Sequence, residues 1–226
     1  MNQKLQQLLD SIQQSAHLSD DERDPLIKKI KEIDKEIEIT AFKLDRTKKV
    51  KRTTAILLEE TIEELEQKRK AVEVKNRELE METALEKVRS VAMAMRKPDD
   101  LLNICKILFE QLHTLGFSEC RNTMINIHHD DSDYLLNYDY AIVTGKTITN
   151  IPYSFHPVVA RQMQVTRDVP DAFYDFSLTG EALKEFRELR KKNGEQDDPK
   201  LEITNALHYY FYSIGTGSIG ISTYSA

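Results

Sequence analysis

Apolar residues in the first half of the chain recur four and three residues apart, which is the spacing of a coiled-coil seam. This first seam comprises Leu58, Ile62, Leu65, Arg69, Val72, Asn76 and Leu79. A second seam, in a different phase, comprises Met81, Leu85, Val88, Ala92 and Met95. The phase changes between Leu79 and Leu85, and such a shift locally overwinds or underwinds a coiled coil. The pattern therefore predicts a coiled coil in which two helix packings can interconvert.

Two positions of the first seam are polar. An asparagine in a coiled-coil core, here Asn76, can fix register and oligomeric state at some cost in stability. The alternative is that Arg69 and Asn76 lie on a frayed or solvated part of the helix. The sequence leaves both interpretations open.

Both seams lie in a stretch that has no glycine or proline between Pro25 and Pro98 and is rich in Glu, Lys, Arg, Leu and Ile. This composition favours one uninterrupted helix, which we assign to residues 25–97. A helix of about 70 residues spans on the order of 100 Å and needs a partner when it is this polar. We predict a parallel homodimer. An antiparallel fold-back near the basic run Thr47–Thr54 is the alternative.

Residues 1–24 are predicted to contain a short amphipathic helix that precedes the long one. Its apolar face comprises Leu5, Leu8, Leu9 and Ile12. The sequence Ser19–Glu22 has the spacing of a capping box, which marks the start of the next helix.

The second half of the chain contains every glycine and most of the aromatic residues, which are typical of turns and strands. One helical face, with Leu101, Ile104, Cys105, Leu108, Leu112 and Leu115, ends at Gly116. Strands are predicted at 122–128, 134–143 and 147–155, helices at 157–164 and 179–193, and a closing hairpin at 207–214 and 218–224. The polar segment 193–200 is predicted to be a loop. Residues 98–226 are therefore expected to form an α+β domain with an antiparallel sheet of about five strands.

Composition excludes several classes of function. The formal net charge of −6 gives no basic surface for nucleic acid. Cys105 and Cys120 have neither metal-ligand spacing nor a disulfide framework, which indicates a reducing compartment. No apolar run is long enough for a membrane span and no signal peptide is evident, so we expect a cytoplasmic protein. Cys105 is most simply a small buried hydrophobic residue, and a reactive thiol is the alternative.

Motifs that carry chemistry are few. Residues 215–220 fit G-x-G-x-x-G, but the β-branched and polar residues that follow favour a hairpin turn over a dinucleotide site. Residues 128–131 (HHDD) could offer metal ligands, but adjacent strand residues point to opposite faces, so a turn at a strand end is favoured. No serine or cysteine has the base and orienting residues of a catalytic nucleophile in a recognisable arrangement, and no phosphate-binding loop of the form G-x-x-x-x-G-K-[ST] occurs. We therefore assign no catalytic residue, no metal and no cofactor.

A set of aromatic residues could line a pocket for a small-molecule ligand, although core packing explains them equally well. The set comprises Tyr138, Tyr140, Tyr153, Phe155, Tyr209, Phe211 and Tyr212.

The segment from Arg77 to Phe117 resembles the helix-plus-GAF-like sensory modules of Bacteroidetes-type two-component sensor histidine kinases. The residues that match the linker of that family are Leu85, Glu86, Val88, Arg89 and Ala92-Met93-Ala94-Met95. Those that match the following helix are Leu108-Phe109, Gln111-Leu112 and Leu115-Gly116. The last eighteen residues, YYFYSIGTGSIGISTYSA, are also similar to the closing hairpin of those modules.

The resemblance implies a GAF-like fold, a signalling role and a helix that carries a change between the domains of a dimer. In that family a further helix, a phosphoacceptor-histidine helix and an ATP-binding domain follow the hairpin. We therefore expect either the regulatory part of a sensor kinase or a stand-alone regulatory protein, with the GAF-like domain lacking its last helix and no kinase active site. A downstream kinase or response regulator is the expected partner. The alternative function is a coiled-coil structural adaptor that binds no ligand.

Overall fold

A computed structural model describes residues 2–16, 18–129, 131–196 and 198–225. The chain divides into two compact units, Met1–Val74 and Lys75–Ala226. The first unit contains helix α1 (Gln3–Gln14) and most of helix α2 (Asp20–Met93), a helix of 74 residues. No helix within the described residues combines the length and the apolar character that crossing a membrane requires.

The start of α2 is fixed by local hydrogen bonds. The Glu22 carboxylate accepts hydrogen bonds from the backbone N–H of Ser19 at 3.1 Å and from its hydroxyl at 2.8 Å, so one of the two reciprocal bonds of the predicted capping box is formed. The Glu22 backbone N–H donates to the Ser19 carbonyl oxygen at 3.2 Å instead of to the hydroxyl. Arg23 Nη2 donates to the carbonyl oxygens of Ser15 and Leu18, each at 3.0 Å. These contacts explain why the helix begins at Asp20 and includes Pro25, where the sequence suggested a boundary. A proline this early removes only one hydrogen bond of the first turns.

The connection between α2 and the next helix lies at the predicted place. Lys97, before Pro98, has extended backbone angles, as the residue before a proline prefers. A 3₁₀ turn (Pro98–Asp100) leads directly into helix α3 (Leu101–Thr114). The Asp100 carboxylate accepts hydrogen bonds from the backbone N–H groups of Arg96 at 2.8 Å and Lys97 at 3.1 Å, which fixes the corner.

The second unit contains a sheet of six strands, all neighbours being antiparallel, in the order β3-β2-β1-β6-β5-β4. The strands are β1 (Cys120–His129), β2 (Tyr134–Ala141), β3 (Gly145–Pro152), β4 (Phe173–Thr179), β5 (Ala206–Ser213) and β6 (Gly217–Ser225). The prediction of an antiparallel α+β domain is confirmed. The expectation of about five strands is corrected to six, because Phe173–Thr179 forms an edge strand on β5.

Helices cover both faces of the sheet. Helix α3 packs on one face, where Ile104 and Cys105 form a buried cluster with Ile125 and Tyr138. The other face carries helices α4 (Pro157–Asp168) and α5 (Gly180–Lys192), and its core includes Leu135, Val159, Leu178, Leu183 and Leu207. A short helix, α6 (Pro199–Ile203), lies in the segment that the sequence suggested was a loop, and Asp198 caps it.

The G-x-G-x-x-G segment forms the hairpin turn between β5 and β6, as predicted. Gly215 has φ +83°, the left-handed conformation that favours glycine in a turn. Gly217 is needed for a different reason, because a Cβ atom there would lie 1.8 Å from the backbone oxygen of Asn126 on the neighbouring strand. The motif is therefore explained by turn geometry and close strand approach.

Candidate functional site

A polar cavity of about 50 Å³ lies between the sheet and the helices α4 and α5. By volume it has room for a few water molecules. Its polar lining is Asn122, Asn126, Asn137, Asp139, Gln162, Arg190 and Glu195. Its apolar lining includes four aromatic rings, those of Phe155, Phe176, Phe186 and Tyr209. Polar groups and aromatic rings therefore meet in a space that strand and helix residues enclose.

A larger cleft of about 310 Å³ lies next to this cavity and shares Asn137, Asp139, Arg190 and Glu195 with it. Residues of β3 complete the cleft, among them Thr147 and Thr149. The shared wall includes an ion pair in which Arg190 Nη2 lies 2.8 Å from Glu195 Oε2, with the two side chains 11% and 14% exposed. Cleft and cavity together have the concave, partly apolar character of a small-molecule site.

The polar side chains of the cavity lie on one face of the sheet because successive strand residues point to opposite faces. Asn122 and Asn126 on β1, and Asn137 and Asp139 on β2, occupy alternate positions, so they face the same side of the sheet. A β-bulge between Cys120 and Asn122 inserts one extra residue, Arg121. Bulges re-aim side chains, and here the guanidinium of Arg121 reaches Ser222 and Asp198.

A first row of hydrogen bonds crosses three strands and ends at Asp139. Its members, from donor end to acceptor end, are Arg121, Ser222, Asn122 and Asp139. Arg121 Nη1 donates to Ser222 Oγ at 3.4 Å, the Ser222 hydroxyl donates to Asn122 Oδ1, and Asn122 Nδ2 donates to Asp139 Oδ1 at 2.8 Å. Every donor in this row is directed toward the Asp139 carboxylate. Hydrogen bonds aligned in this way polarise one another.

A second row converges on Ser218. Asn137 Nδ2 donates to Asn126 Oδ1 at 2.7 Å, and Asn126 Nδ2 donates to Ser218 Oγ at 3.2 Å. Gln162 Nε2 donates to the same hydroxyl oxygen, also at 3.2 Å. Because the amide nitrogens are used within the row, the carbonyl oxygens of Asn137 and Gln162 are the acceptors that remain at its two ends.

A buried ion pair closes the end of the sheet beside the first row. Arg121 Nε lies 2.9 Å from Asp198 Oδ2, and both side chains are 1% exposed. The Tyr224 hydroxyl donates to the same oxygen at 2.7 Å. Burial acts to raise the pKa of Asp198, but the Tyr224 hydroxyl and the Arg121 guanidinium outweigh it, so this pKa lies below its ordinary value.

The two carboxylates at the wall between cavity and cleft, Asp139 and Glu195, have pKa values shifted in the opposite direction to that of Asp198. Burial is the largest effect on Asp139 and raises its pKa, although Arg121, Asn122 and Arg190 oppose the change. Burial likewise raises the pKa of Glu195 despite its ion pair with Arg190.

The structure divides the predicted aromatic set between the two faces of the sheet. Tyr209 and Phe155 line the cavity, and Phe211 and Tyr153 belong to the core around it. Tyr138 lies in the cluster under α3, and Tyr140 packs edge-on against Phe109 of that helix, with ring centroids 5.4 Å apart. Tyr212 is 47% exposed on the outer side of β5. Because strand residues alternate, the tyrosines of β2 at 138 and 140 face away from the cavity.

The predicted seams of α2 have two different environments. The first-seam residues are exposed in the single chain, among them Leu58, Ile62, Leu65, Val72, Asn76 and Leu79. One residue of the second seam, Val88, packs against the cluster under α3. The other seam residues are exposed, namely Met81, Leu85, Ala92 and Met95. Arg89, which the resemblance singled out, is exposed as well. Val91 packs against the same cluster as Val88. Ala84, four residues before Val88, is also buried.

The buried stripe at the end of α2, formed by Ala84, Val88 and Val91, shares only Val88 with the predicted second seam. Ala84 lies five residues after Leu79, which at about 100° per residue places it about 140° around the helix axis. The apolar stripe turns because the end of α2 meets α3 on that side. Arg77 Nη2 strengthens the contact by donating to the carbonyl oxygen of Leu115 at 2.7 Å.

The cysteine and histidine candidates have structural surroundings. Cys105 is fully buried, and burial raises the pKa of its thiol to about 12. The prediction of a small buried residue is confirmed. The ring of His128 lies near Thr166, with 3.4 Å between Nε2 and Oγ1, whereas His129 stacks on Tyr134. Asp130 lies outside the described residues. Within the described ranges, no three His, Cys, Asp or Glu side chains are placed to hold a metal ion.

Sequence reasoning missed the polar rows, although a signal was present. Asparagines at 122 and 126, four residues apart, and the triplet Asn137-Tyr138-Asp139 put polar groups at alternate positions, on the same side of their strands as Met124 and Leu135. Polar residues at inward strand positions need partners, and several together indicate a site or a network.

Comparison with other proteins gives no relative from which function could be transferred. No protein-family model matches the chain, no curated protein is significantly similar to it, and no solved structure gives a significant match.

Proposed function

We propose that this chain is the sensory or regulatory module of a two-component signalling protein, acting as a homodimer in the cytoplasm. In this proposal the α+β domain is GAF-like, binds a small molecule in the cavity and cleft, and changes the packing of α2. The module is not itself an enzyme, and its output goes to a kinase or a response regulator. The observation that best supports the proposal is that the two strands that line the cavity also hold α3, which packs on α2.

The contacts between strands and α3 are short and buried. Thr123, next to Asn122 in β1, donates from Oγ1 to the carbonyl oxygen of Cys105 at 2.6 Å. Cys105 Sγ donates to the carbonyl oxygen of Tyr138 at 3.3 Å, and Tyr138 lies between Asn137 and Asp139 in β2. A ligand that shifts the cavity side of β1 or β2 would therefore shift the backbone groups that hold α3.

Helix α3 then meets the end of α2. Val88 and Val91 of α2 pack against the cluster that contains Cys105. Asn76 and Leu79, the last two positions of the first seam, line a groove of about 450 Å³ together with Gln111 of α3 and Leu115, which directly follows α3. A change at α3 would thus reach the part of α2 where the two seams differ in phase.

The first seam supports the dimer. Its apolar side chains are largely exposed, and a helix this long and polar gains most of its stability from packing. Pairing with the same helix of a second copy would bury the seam as knobs into holes. Asn76 would then select the register of the pair.

The chain offers matched controls for a test of the dimer. Leu58 and Val72 belong to the first seam and are 59% and 58% exposed, whereas their neighbours Leu57 and Val74 do not belong to it and are 57% and 58% exposed. We expect light scattering to give the full chain twice its mass of 26.2 kDa. The double variant Leu58→Glu/Val72→Glu should give a monomer, and Leu57→Glu/Val74→Glu should leave the dimer unchanged.

Other outcomes would change the proposal in defined ways. A monomeric full chain, or equal effects of the two double variants, would contradict transmission through this seam. A dimer whose domain binds no small molecule in a thermal-shift screen would favour the structural adaptor, because a ligand of the folded state must raise the melting temperature.

A further inference from the structure

When all three carboxylates of the cluster are ionised, the charges around the cavity do not balance. Arg121 pairs with Asp198 and Arg190 pairs with Glu195, which leaves the third carboxylate of the cluster, Asp139, outside these two ion pairs. Asp139 is only 9% exposed and lies at the wall that cavity and cleft share. A buried carboxylate is stable when it is either protonated or matched by a cation.

Lys146, a further cation that lines the cleft, is directed elsewhere. Lys146 lines the cleft, but its Nζ donates to Asn103 Oδ1 of α3 at 2.6 Å, on the opposite face of the sheet. Thr147 follows it with the alternate orientation and shares the cleft with Asp139. In the part of the chain that the structure describes, no ion pair involving Asp139 is formed by Lys146 or by either arginine of the cluster.

We propose that cavity and cleft bind a small organic cation that carries N–H donors, such as an amidinium, a guanidinium or a primary ammonium group, with Asp139 as its counter-ion. This inference specifies the ligand class of the proposed sensory function and depends on it. The bound cation would bring the cluster to three positive and three negative charges, since the two arginines already offset Glu195 and Asp198. Burial of a balanced, hydrogen-bonded set of charges is far less costly than burial of an unmatched one.

The remaining lining also matches N–H donors. The first polar row ends with Asn122 Nδ2 donating to one oxygen of Asp139, and this hydrogen bond stabilises the ionised carboxylate against the larger opposing effect of burial. The carbonyl oxygens of Asn137 and Gln162 end the second row as acceptors. A ligand with several N–H groups can donate to these oxygens and to Asp139.

Aromatic rings complete the recognition of a cation. Phe155, Phe176 and Phe186 line the cavity, and Phe176 stacks with Tyr209 at a centroid distance of 5.0 Å. Ring faces attract cations, and the attraction is strongest where water is excluded. A carboxylate and aromatic rings around one cavity are a combination that selects a positive charge over a neutral group of the same shape.

Three probes of nearly the same size and shape test this inference on the full chain. Acetamidinium, acetamide and acetate are planar groups that differ in charge from +1 to −1. Ligand-observed NMR titrations at constant ionic strength give the dissociation constant of each. We expect acetamidinium to bind at millimolar concentration and at least about tenfold more tightly than acetamide or acetate, because a charge-assisted hydrogen bond is added.

Two isosteric variants locate the binding. Asp139→Asn removes the counter-ion, and Asp175→Asn makes the same change on an exposed strand position away from the cavity. We expect Asp139→Asn to weaken acetamidinium binding at least about tenfold and Asp175→Asn to leave it unchanged. If Asp139→Asn does not fold, the comparison of the three probes on the wild-type chain still tests whether the site prefers a cation.

The outcomes separate this inference from the proposed function. Tighter binding of acetate or acetamide than of acetamidinium would overturn the cation class while leaving a small-molecule site in place. An unchanged acetamidinium affinity in Asp139→Asn would overturn the role of this carboxylate. Acetamidinium binding that depends on Asp139 but leaves the exchange of α2 amides unaltered would support the cation site and contradict signal transmission.

Discussion

Replacement of Arg121 by methionine tests whether the buried ion pair holds the site end of the sheet. The change would leave the Asp198 carboxylate, at 1% exposure, without its cation. Asp198 would keep the Tyr224 hydroxyl at 2.7 Å and the backbone N–H groups of Lys200 at 3.1 Å and Leu201 at 3.4 Å. Breaking a buried pair costs about 3–5 kcal/mol. Because three donors remain, we expect the free energy of unfolding to fall by about 3 kcal/mol, at the low end of that range.

A double-mutant cycle separates the pair from the packing of its two side chains. Asp198→Asn alone leaves the Arg121 guanidinium buried without its carboxylate partner and should cost a similar amount. Arg121→Met/Asp198→Asn removes both charges. We expect the double variant to be at least about 2 kcal/mol more stable than the sum of the single effects predicts.

Urea unfolding followed by near-ultraviolet circular dichroism is a suitable assay. The chain has nine tyrosines and no tryptophan, and the tyrosines all lie between residues 134 and 224. The signal therefore reports the unit that contains the site. Lys184→Met is the control, because its ion pair with Glu181 is shorter, at 2.6 Å, but is 66% and 88% exposed. We expect this control to cost no more than about 0.5 kcal/mol. Additive single effects, or an Arg121→Met cost no larger than that of the control, would refute the reasoning.

Three further predictions concern the hairpin, the thiols and Asp139. Gly217→Ala should cost about 3 kcal/mol or more, because its Cβ would meet backbone, whereas Gly215→Ala, which meets nothing within 4 Å, should cost about 1–2 kcal/mol for its positive φ. Urea unfolding checks this, and equal costs would contradict it. Cys105, with its pKa raised to about 12, should react with Ellman's reagent only upon unfolding, and rapid native reaction would contradict the buried assignment. Because burial raises the folded-state pKa of Asp139, the wild type should lose stability relative to Asp139→Asn as pH rises from about 4 toward that pKa. Chemical denaturation at several pH values measures this, and an unchanged difference between the two proteins would contradict it.

Local signals in the sequence were sufficient for much of the fold. The start of α2 near Ser19, the corner at Pro98 and the end of α3 before Gly116 all depend on residues close in sequence. The hairpin at 214–216 follows from its glycines in the same way. These features could be predicted because caps and turns are determined by neighbouring residues.

The edge strand β4 was missed because its partner is distant in sequence. Tyr174, Phe176 and Leu178 alternate with more exposed residues, which is a strand pattern. However, the strand is only seven residues long and runs directly into α5. Its identity depends on pairing with β5, which begins at Ala206.

The candidate site was only partly predictable for the same reason. Aromatic content indicated a pocket, but the face of each residue depends on strand register, which separates Tyr209 from Tyr138 and Tyr140. The polar rows join β2, β1 and β6, so their members are up to about a hundred positions apart, as Asn122 and Ser222 are. Such partners become visible only when the register of the whole sheet is known.

The central claim, that the cavity is coupled to α2, is tested most directly by hydrogen exchange of the full chain. The measurement compares the wild type with Asp139→Asn, which changes the cavity, and with Asp175→Asn, which does not. The account predicts that Asp139→Asn alters amide exchange in α3 and in residues 84–93 of α2, whereas Asp175→Asn alters neither. Changes confined to the strands that line the cavity would contradict the claim.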